Sequence, residues 1–214
     1  MSRSVLVVED NADIAALLGQ LFSAYDCEVS VAENTEQVKL RLGTRGVDLV
    51  LLDIMLPESE LDGREIARFI RERFPDMPIY FMTGVMKPEI GDEYLEIADG
   101  VLKKPFSIAD LRNVLERTFG EGLKPSVGSE VHDLLGMITT IATEQEEIRR
   151  QQARIASFVT IFQEGAEGGP SAGELGRFKA DVARYEDGLA RMERSLSEMQ
   201  EMLRSKGALL GKGD

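Results

Sequence analysis

Along roughly the first 120 residues, short apolar runs alternate with stretches whose apolar positions recur every three or four residues. Residues 5–8 and 47–52 lack the polar alternation of a half-exposed strand, so they read as strands buried on both faces. Residues 27–32 alternate, residues 78–82 are strand-like, and Val101 and Leu102 make a short fifth strand. Between them, residues 11–24 place Ile14, Leu17, Leu18, Leu21 and Phe22 on one helical face, and residues 63–74 do the same with Ile66, Phe69 and Ile70. Further helices are expected over 35–42, over 89–98 and from a Ser107 cap to about Phe119. Five strands alternating with five helices predict an α/β domain, a doubly wound five-stranded parallel sheet, over residues 1–122.

Residues 123–130, within a Gly- and Pro-containing break, read as a linker. The pattern then changes. Val131, Leu134, Ile138, Ile141, Gln145, Ile148, Gln152, Ile155, Val159 and Phe162 follow alternating spacings of three and four. Four glycines and Pro170 between residues 165 and 173 stop that helix. The same spacing resumes at Leu175, Phe178, Val182, Tyr185, Leu189, Met192, Leu196, Met199 and Leu203. Two narrow seams of 3.5-residue period joined by a breaker predict an α-helical antiparallel hairpin over 131–206, with a flexible tail over 207–214. Leu134, Leu135, Ala142 and Phe158 widen the first helix's apolar face, leaving surface for a second hairpin. A homodimer through the hairpin, as a four-helix bundle, is therefore expected.

Charge narrows the range of partners. The net charge is -13, and 14 of the 25 basic and 23 of the 38 acidic residues precede Pro125. Neither half is a hidden basic module, so no nucleic-acid or anionic-membrane binding is expected. No short tri-helical pattern with a basic recognition helix follows Pro125. Cys27 is the only cysteine, which excludes an internal disulfide and reads as a small buried apolar side chain. Without a signal-peptide pattern or a run of about 20 apolar residues, the chain is expected to be cytoplasmic.

In doubly wound sheets, ligands bind beyond the carboxyl ends of the strands. Here those ends carry Glu9 and Asp10, then Asp53, then Thr83, then Lys103 and Lys104. Three carboxylates brought together repel one another unless a cation neutralises them. An oxygen-only cluster with few protein ligands suits Mg²⁺, which keeps several waters and shares phosphate oxygens. A carboxylate is an established nucleophile toward phosphate, Lys104 supplies a compact positive charge and Thr83 a hydroxyl donor.

The segments VLVVED over 5–10, DIMLP over 53–57, MTG over 82–84 and KKPF over 103–106 carry a resemblance. Residues 4–120 resemble the receiver domain of two-component response regulators. The resemblance implies that Asp53 accepts a phosphoryl group from a histidine kinase or a phosphotransfer protein. It also implies that Glu9, Asp10 and Asp53 hold Mg²⁺ with the Met55 backbone carbonyl, and that Thr83 and Lys104 contact the phosphoryl group. No enzymatic activity beyond its own phosphoryl transfer and dephosphorylation is implied. Two departures stand out. Residues 58–61 lengthen the loop between Pro57 and the Asp62-Gly63 pair, and Val101 occupies a position that is often aromatic in the family. Met55 and Val85, at positions that influence hydrolysis in receivers, are apolar and cannot position an attacking water, so a long-lived aspartyl phosphate is expected.

For the hairpin, the leading reading is docking to a downstream protein partner, with Gln145 and Gln152 as polar residues that fix register inside the seam. The alternative is a phosphotransfer hairpin that relays phosphate through His132, because His132-Asp133 resembles the start of a histidine-kinase phosphotransfer helix. Gly136 and Met137 depart from that pattern. No nucleotide-binding domain follows, so no autophosphorylation in cis is expected.

Overall fold

The short apolar runs become five parallel strands in the computed structural model, which describes residues 3–44, 46–56, 62–84, 92–163 and 170–210. They are β1 (Arg3–Val8), β2 (Cys27–Ala32), β3 (Leu49–Asp53), β4 (Ile79–Thr83) and β5 (Gly100–Lys103), in the order β2-β1-β3-β4-β5. Helices α1 (Ala12–Ser23), α2 (Thr35–Thr44), α3 (Gly63–Arg73), α4 (Asp92–Leu95) and α5 (Ile108–Phe119) connect or follow them. Every residue of β3 and β4 is buried, as are Val5 through Val8 of β1. That burial explains their unbroken apolar sequence: a parallel sheet covered on both faces has no solvent side.

Caps set where the helices begin. The Asn11 side chain accepts hydrogen bonds from the backbone N–H groups of Asp13 and Ile14, and Asp62 with Glu65, and Ser107 with Asp110, form reciprocal capping boxes. Two boundaries differ from the sequence reading. β3 starts at Leu49, because the Asp48 carboxylate leaves the strand direction to accept from the Ser4 N–H at 2.8 Å. α4 ends at Leu95 instead of reaching residue 98. Asp99, just beyond it, accepts from Arg71 and from the Ile79 N–H, both at 2.9 Å, and so starts the turn into β5. Cys27 is buried, as expected of a small apolar side chain.

Two long helices complete the chain, α6 (Ser129–Gln163) and α7 (Ala172–Leu210), the latter running past residue 206. The chain divides into two units, Met1–Thr140 and Ile141–Asp214, so the first turns of α6 belong with the α/β domain. The Ser126 N–H donates to the Ala24 carbonyl at 2.6 Å, and the Thr140 hydroxyl to the Phe106 carbonyl at 3.2 Å.

The second unit is an antiparallel helical hairpin. Ser171 and Glu174 bond reciprocally at the start of α7, as a capping box does. Partner numbers on α7 fall as those on α6 rise: Ser195 donates to Glu144 at 3.2 Å, Gln152 to the Tyr185 hydroxyl at 3.0 Å, Arg154 pairs with Asp181 at 2.9 Å, and the Phe158 and Phe178 rings stack 4.5 Å apart. The inward face differs from the expected seam. Gln145 and Gln152 are exposed, while Glu144, Gln151 and Asp181 are buried. Ile141 and Ile148 of the expected seam are buried, and between them Glu144 and Gln151 take the inward places expected of Gln145 and Gln152; Glu144 pairs with Ser195 and Asp181 with Arg154. Val159, Leu175 and Leu196 stay exposed. Phe162 and Leu203 have side chains outside the described set, as do residues 211–214 entirely.

Candidate functional site

The strand order reverses between β1 and β3, which pair in parallel with Val8 opposite Leu52. The residues just past that pair, Glu9 and Asp10 on one strand and Asp53 on the other, therefore meet at the crevice where such sheets bind ligands. Carboxylate oxygens of the three lie within 4.8 Å of one another. Glu9 and Asp53 are fully buried, and Asp10 is half-buried.

Lys104 reaches this group from the end of β5. Its Nζ donates to Glu9 Oε2 at 2.6 Å and to Asp53 Oδ2 at 2.7 Å, and its side chain is itself buried. Burial works against its charge, but the charges of Asp53 and Glu9 and the hydrogen bonds to both outweigh it and hold the ammonium above the ordinary lysine pKa. One buried cation thus bridges two buried anions, the arrangement that makes ionised groups tolerable in a core. Lys103 beside it is exposed, as alternation along a strand requires.

Thr83 is fully buried at the end of β4, and its carbonyl accepts from the Lys104 N–H at 2.7 Å. The Met55 N–H donates to Asp53 Oδ1 at 2.9 Å, so the turn after β3 folds back over the carboxylate. The structure therefore brings Glu9, Asp10, Asp53, Thr83 and Lys104 to one end of the sheet, with Met55 on the adjacent turn. Residues 57–61, the lengthened acidic loop, and Val85 lie outside the described residues. Val101 is half-buried and packs with Phe81 and Tyr94 in the core cluster beside the site.

One residue matters more than the sequence alone revealed. A Cβ on Gly63 would run into the Asp53 carbonyl and come within 2.8 Å of Ile54 Cα. α3 begins so close behind the end of β3 that only glycine fits. The Asp62-Gly63 pair was the visible signal, but its physical meaning is this contact.

His132 sits elsewhere in the same unit. Its Nε2 lies 2.7 Å from the Tyr25 hydroxyl, the two rings meet edge to face, and the side chain is only 12% exposed. Sequence reasoning found His132 and missed Tyr25, because nothing local links positions 107 residues apart.

Comparison with known proteins agrees with this fold. The response regulator receiver domain family matches residues 5–116. The phosphate regulon transcriptional regulatory protein PhoB of Pseudomonas aeruginosa is 32% identical over 175 residues, covering 78% of this chain and 76% of that protein. A transcriptional regulatory protein of Bacillus subtilis, YvcP, is 36% identical over 172 residues, covering 74% and 68%. Among solved structures, the receiver domain of NtrX from Brucella abortus superposes with a TM-score of 0.51 at 28% identity, covering 55% of this chain and 99% of that one. With its sheet order, its acidic crevice and this match over half its length, the chain belongs to the response regulator receiver domain family.

Proposed function

We propose that the chain is a phosphorylation-dependent switch in which Asp53 accepts a phosphoryl group from a histidine kinase or phosphotransfer protein, and the hairpin signals by binding protein. The observation that carries the reading is the Lys104 bridge between Glu9 and Asp53 beside a third carboxylate. The donor set is hard oxygen only and fits Mg²⁺, which would be held by Glu9, Asp10, Asp53 and the Met55 carbonyl. When bound, it supplies charge neutralisation at the phosphoryl oxygens. An Asp53 carboxylate oxygen then attacks phosphorus, and the P–O or P–N bond to the donor breaks, leaving the donor its electron pair. Lys104 holds the phosphoryl oxygens by charge and Thr83 by its hydroxyl.

Phosphate relay through His132 is not favoured, since its Nε2 is already engaged by Tyr25 in a largely buried contact. The relatives named above are transcriptional regulators by name. After Pro125, the described residues of this chain form two long helices of 35 and 39 residues, so we read the output as protein-directed. No helix among the described residues is long and apolar enough to cross a membrane. The exposed Val159, Leu175 and Leu196 support a hairpin that pairs with a second copy.

The test is direct. Acetyl phosphate with Mg²⁺ should add one phosphoryl group to the wild type and none to Asp53→Asn, and chelating the metal should stop the reaction. Labelling that survives in the variant would sink the assignment. Light scattering should give twice the 23.7 kDa chain mass, and a monomer at micromolar concentration would remove the dimer while leaving the acceptor reading intact.

A further inference from the structure

The start of α6 touches the loop that carries Lys104. The Thr140 hydroxyl lies 3.2 Å from the Phe106 carbonyl, sharing its proton with the Gly136 carbonyl at 3.0 Å. One turn earlier, Gly136 lies against Ile108: a Cβ at that position would come within 2.9 Å of Ile108 Cδ1 and 3.0 Å of its Cβ. Ile108 opens α5, and Phe106, itself buried, stands two residues from Lys104. Farther back, Ser126 bonds the Ala24 carbonyl and His132 bonds Tyr25. Residues 126–140 are thus fastened at two places, and one of them is the β5–α5 connection.

We propose that Thr140 and Gly136 are positioning residues that tie the start of α6 to Lys104 through Phe106 and Ile108. A phosphoryl group on Asp53 adds anionic oxygens that compete with Glu9 and Asp53 for the Lys104 ammonium. The Lys104 backbone is held by the Thr83 carbonyl. Re-aiming its side chain therefore displaces the chain on the other side, toward Phe106. There the displacement meets α6, the helix that continues as the first arm of the hairpin. The seat of α6 holds Lys104 in the position seen here, so phosphorylation loosens that seat. By linkage, loosening the seat favours the phosphorylated arrangement by the same factor.

This inference rests on Asp53 as acceptor, and the experiment separates the two. Beryllofluoride with Mg²⁺ serves as the phosphoryl mimic on the full chain. Calorimetry gives its affinity, and hydrogen exchange follows the amides of residues 129–140. In the wild type, saturation should speed exchange in that segment. Thr140→Val should bind the mimic about fivefold more tightly and exchange quickly with or without it. Gly136→Ala should act in the same direction by pushing Ile108 away. Thr140→Ser, which keeps the hydroxyl, should behave as wild type. A merely weakened fold would bind the mimic less well, so tighter binding marks positioning. Unchanged or weaker binding by Thr140→Val, or wild-type exchange in 129–140 that ignores the mimic, overturns the inference and leaves the acceptor standing. Failure of the wild type to bind the mimic at all removes both.

Discussion

In the α/β unit, the residues from Val5 to Val8 and all of β3 and β4 are buried, and the charged groups that join them there, Glu9, Asp53 and Lys104, form one bridged cluster at the strand ends. In the hairpin unit, the described buried residues include Ile141 and Ile148, but also Thr143, Glu144, Gln151 and Asp181. Among the described residues, the first unit confines its buried charge to the place where chemistry is expected. The second spreads it along the helix contact, where Ser195, Arg191 and Arg154 face the carboxylates. A fully apolar core provides stability with little directional information, whereas polar cross-pairs are worth less energy but select one register. The α/β unit therefore gathers its buried charge in one bridged crevice, and the hairpin is built so that alignment depends on particular pairs.

The largest expected effect tests the cluster. Lys104→Met leaves Glu9 and Asp53 buried without their cation, and should cost about 3 kcal/mol in chemical denaturation without divalent metal. Added Mg²⁺ should recover part of that loss, because the same carboxylates would bind it. The sign with pH follows from the raised lysine pKa: the wild-type contribution is full below the ordinary value of 10.5 and is lost as pH climbs through the folded-state value above it. An undiminished stability in the variant would show that the bridge contributes nothing.

A smaller effect is expected behind Asp53. Gly63→Ala forces α3 away from Asp53 and Ile54, and should destabilise the chain by roughly 2 kcal/mol. It should also slow Asp53 labelling, since the end of β3 must shift to make room. Normal labelling and stability together would contradict the close approach.

The smallest effect reverses the sign. Burial raises the Glu144 carboxyl pKa, against the opposing hydrogen bond from Ser195 and the charge of Arg191. A group whose folded pKa is raised favours folding below its ordinary value, here 4.5, and loses that contribution as pH rises through the folded value. Glu144→Gln keeps an acceptor for Ser195 and removes the buried charge. It should stabilise the hairpin at pH 7 by less than about 1 kcal/mol, a gain that fades as pH falls toward the ordinary value. Thermal denaturation by circular dichroism at two pH values measures it, and a destabilised variant at neutral pH would mean that the pairing with Arg191 outweighs the burial.

The sequence by itself determined the α/β alternation, because strands buried on both faces must be continuously apolar, and residues 5–8 and 49–52 are. It also determined which residues gather at the candidate site, since a parallel sheet places every strand's carboxyl end on one edge, and Glu9, Asp10, Asp53, Thr83 and Lys104 stand at those ends. It determined that two long helices follow, from their seams and the Gly-Pro break. Tertiary structure decided the rest. Which of two neighbouring positions turns inward follows from the partner helix, since adjacent residues point about 100° apart and the period of the pattern does not choose between them. That is why Glu144 and Gln151 are buried beside Ile141 and Ile148, while Gln145 is exposed and Gln152 reaches Tyr185 from an exposed position. The role of His132 was equally out of reach, because its partner Tyr25 is brought to it only when the start of α6 settles onto the α/β unit.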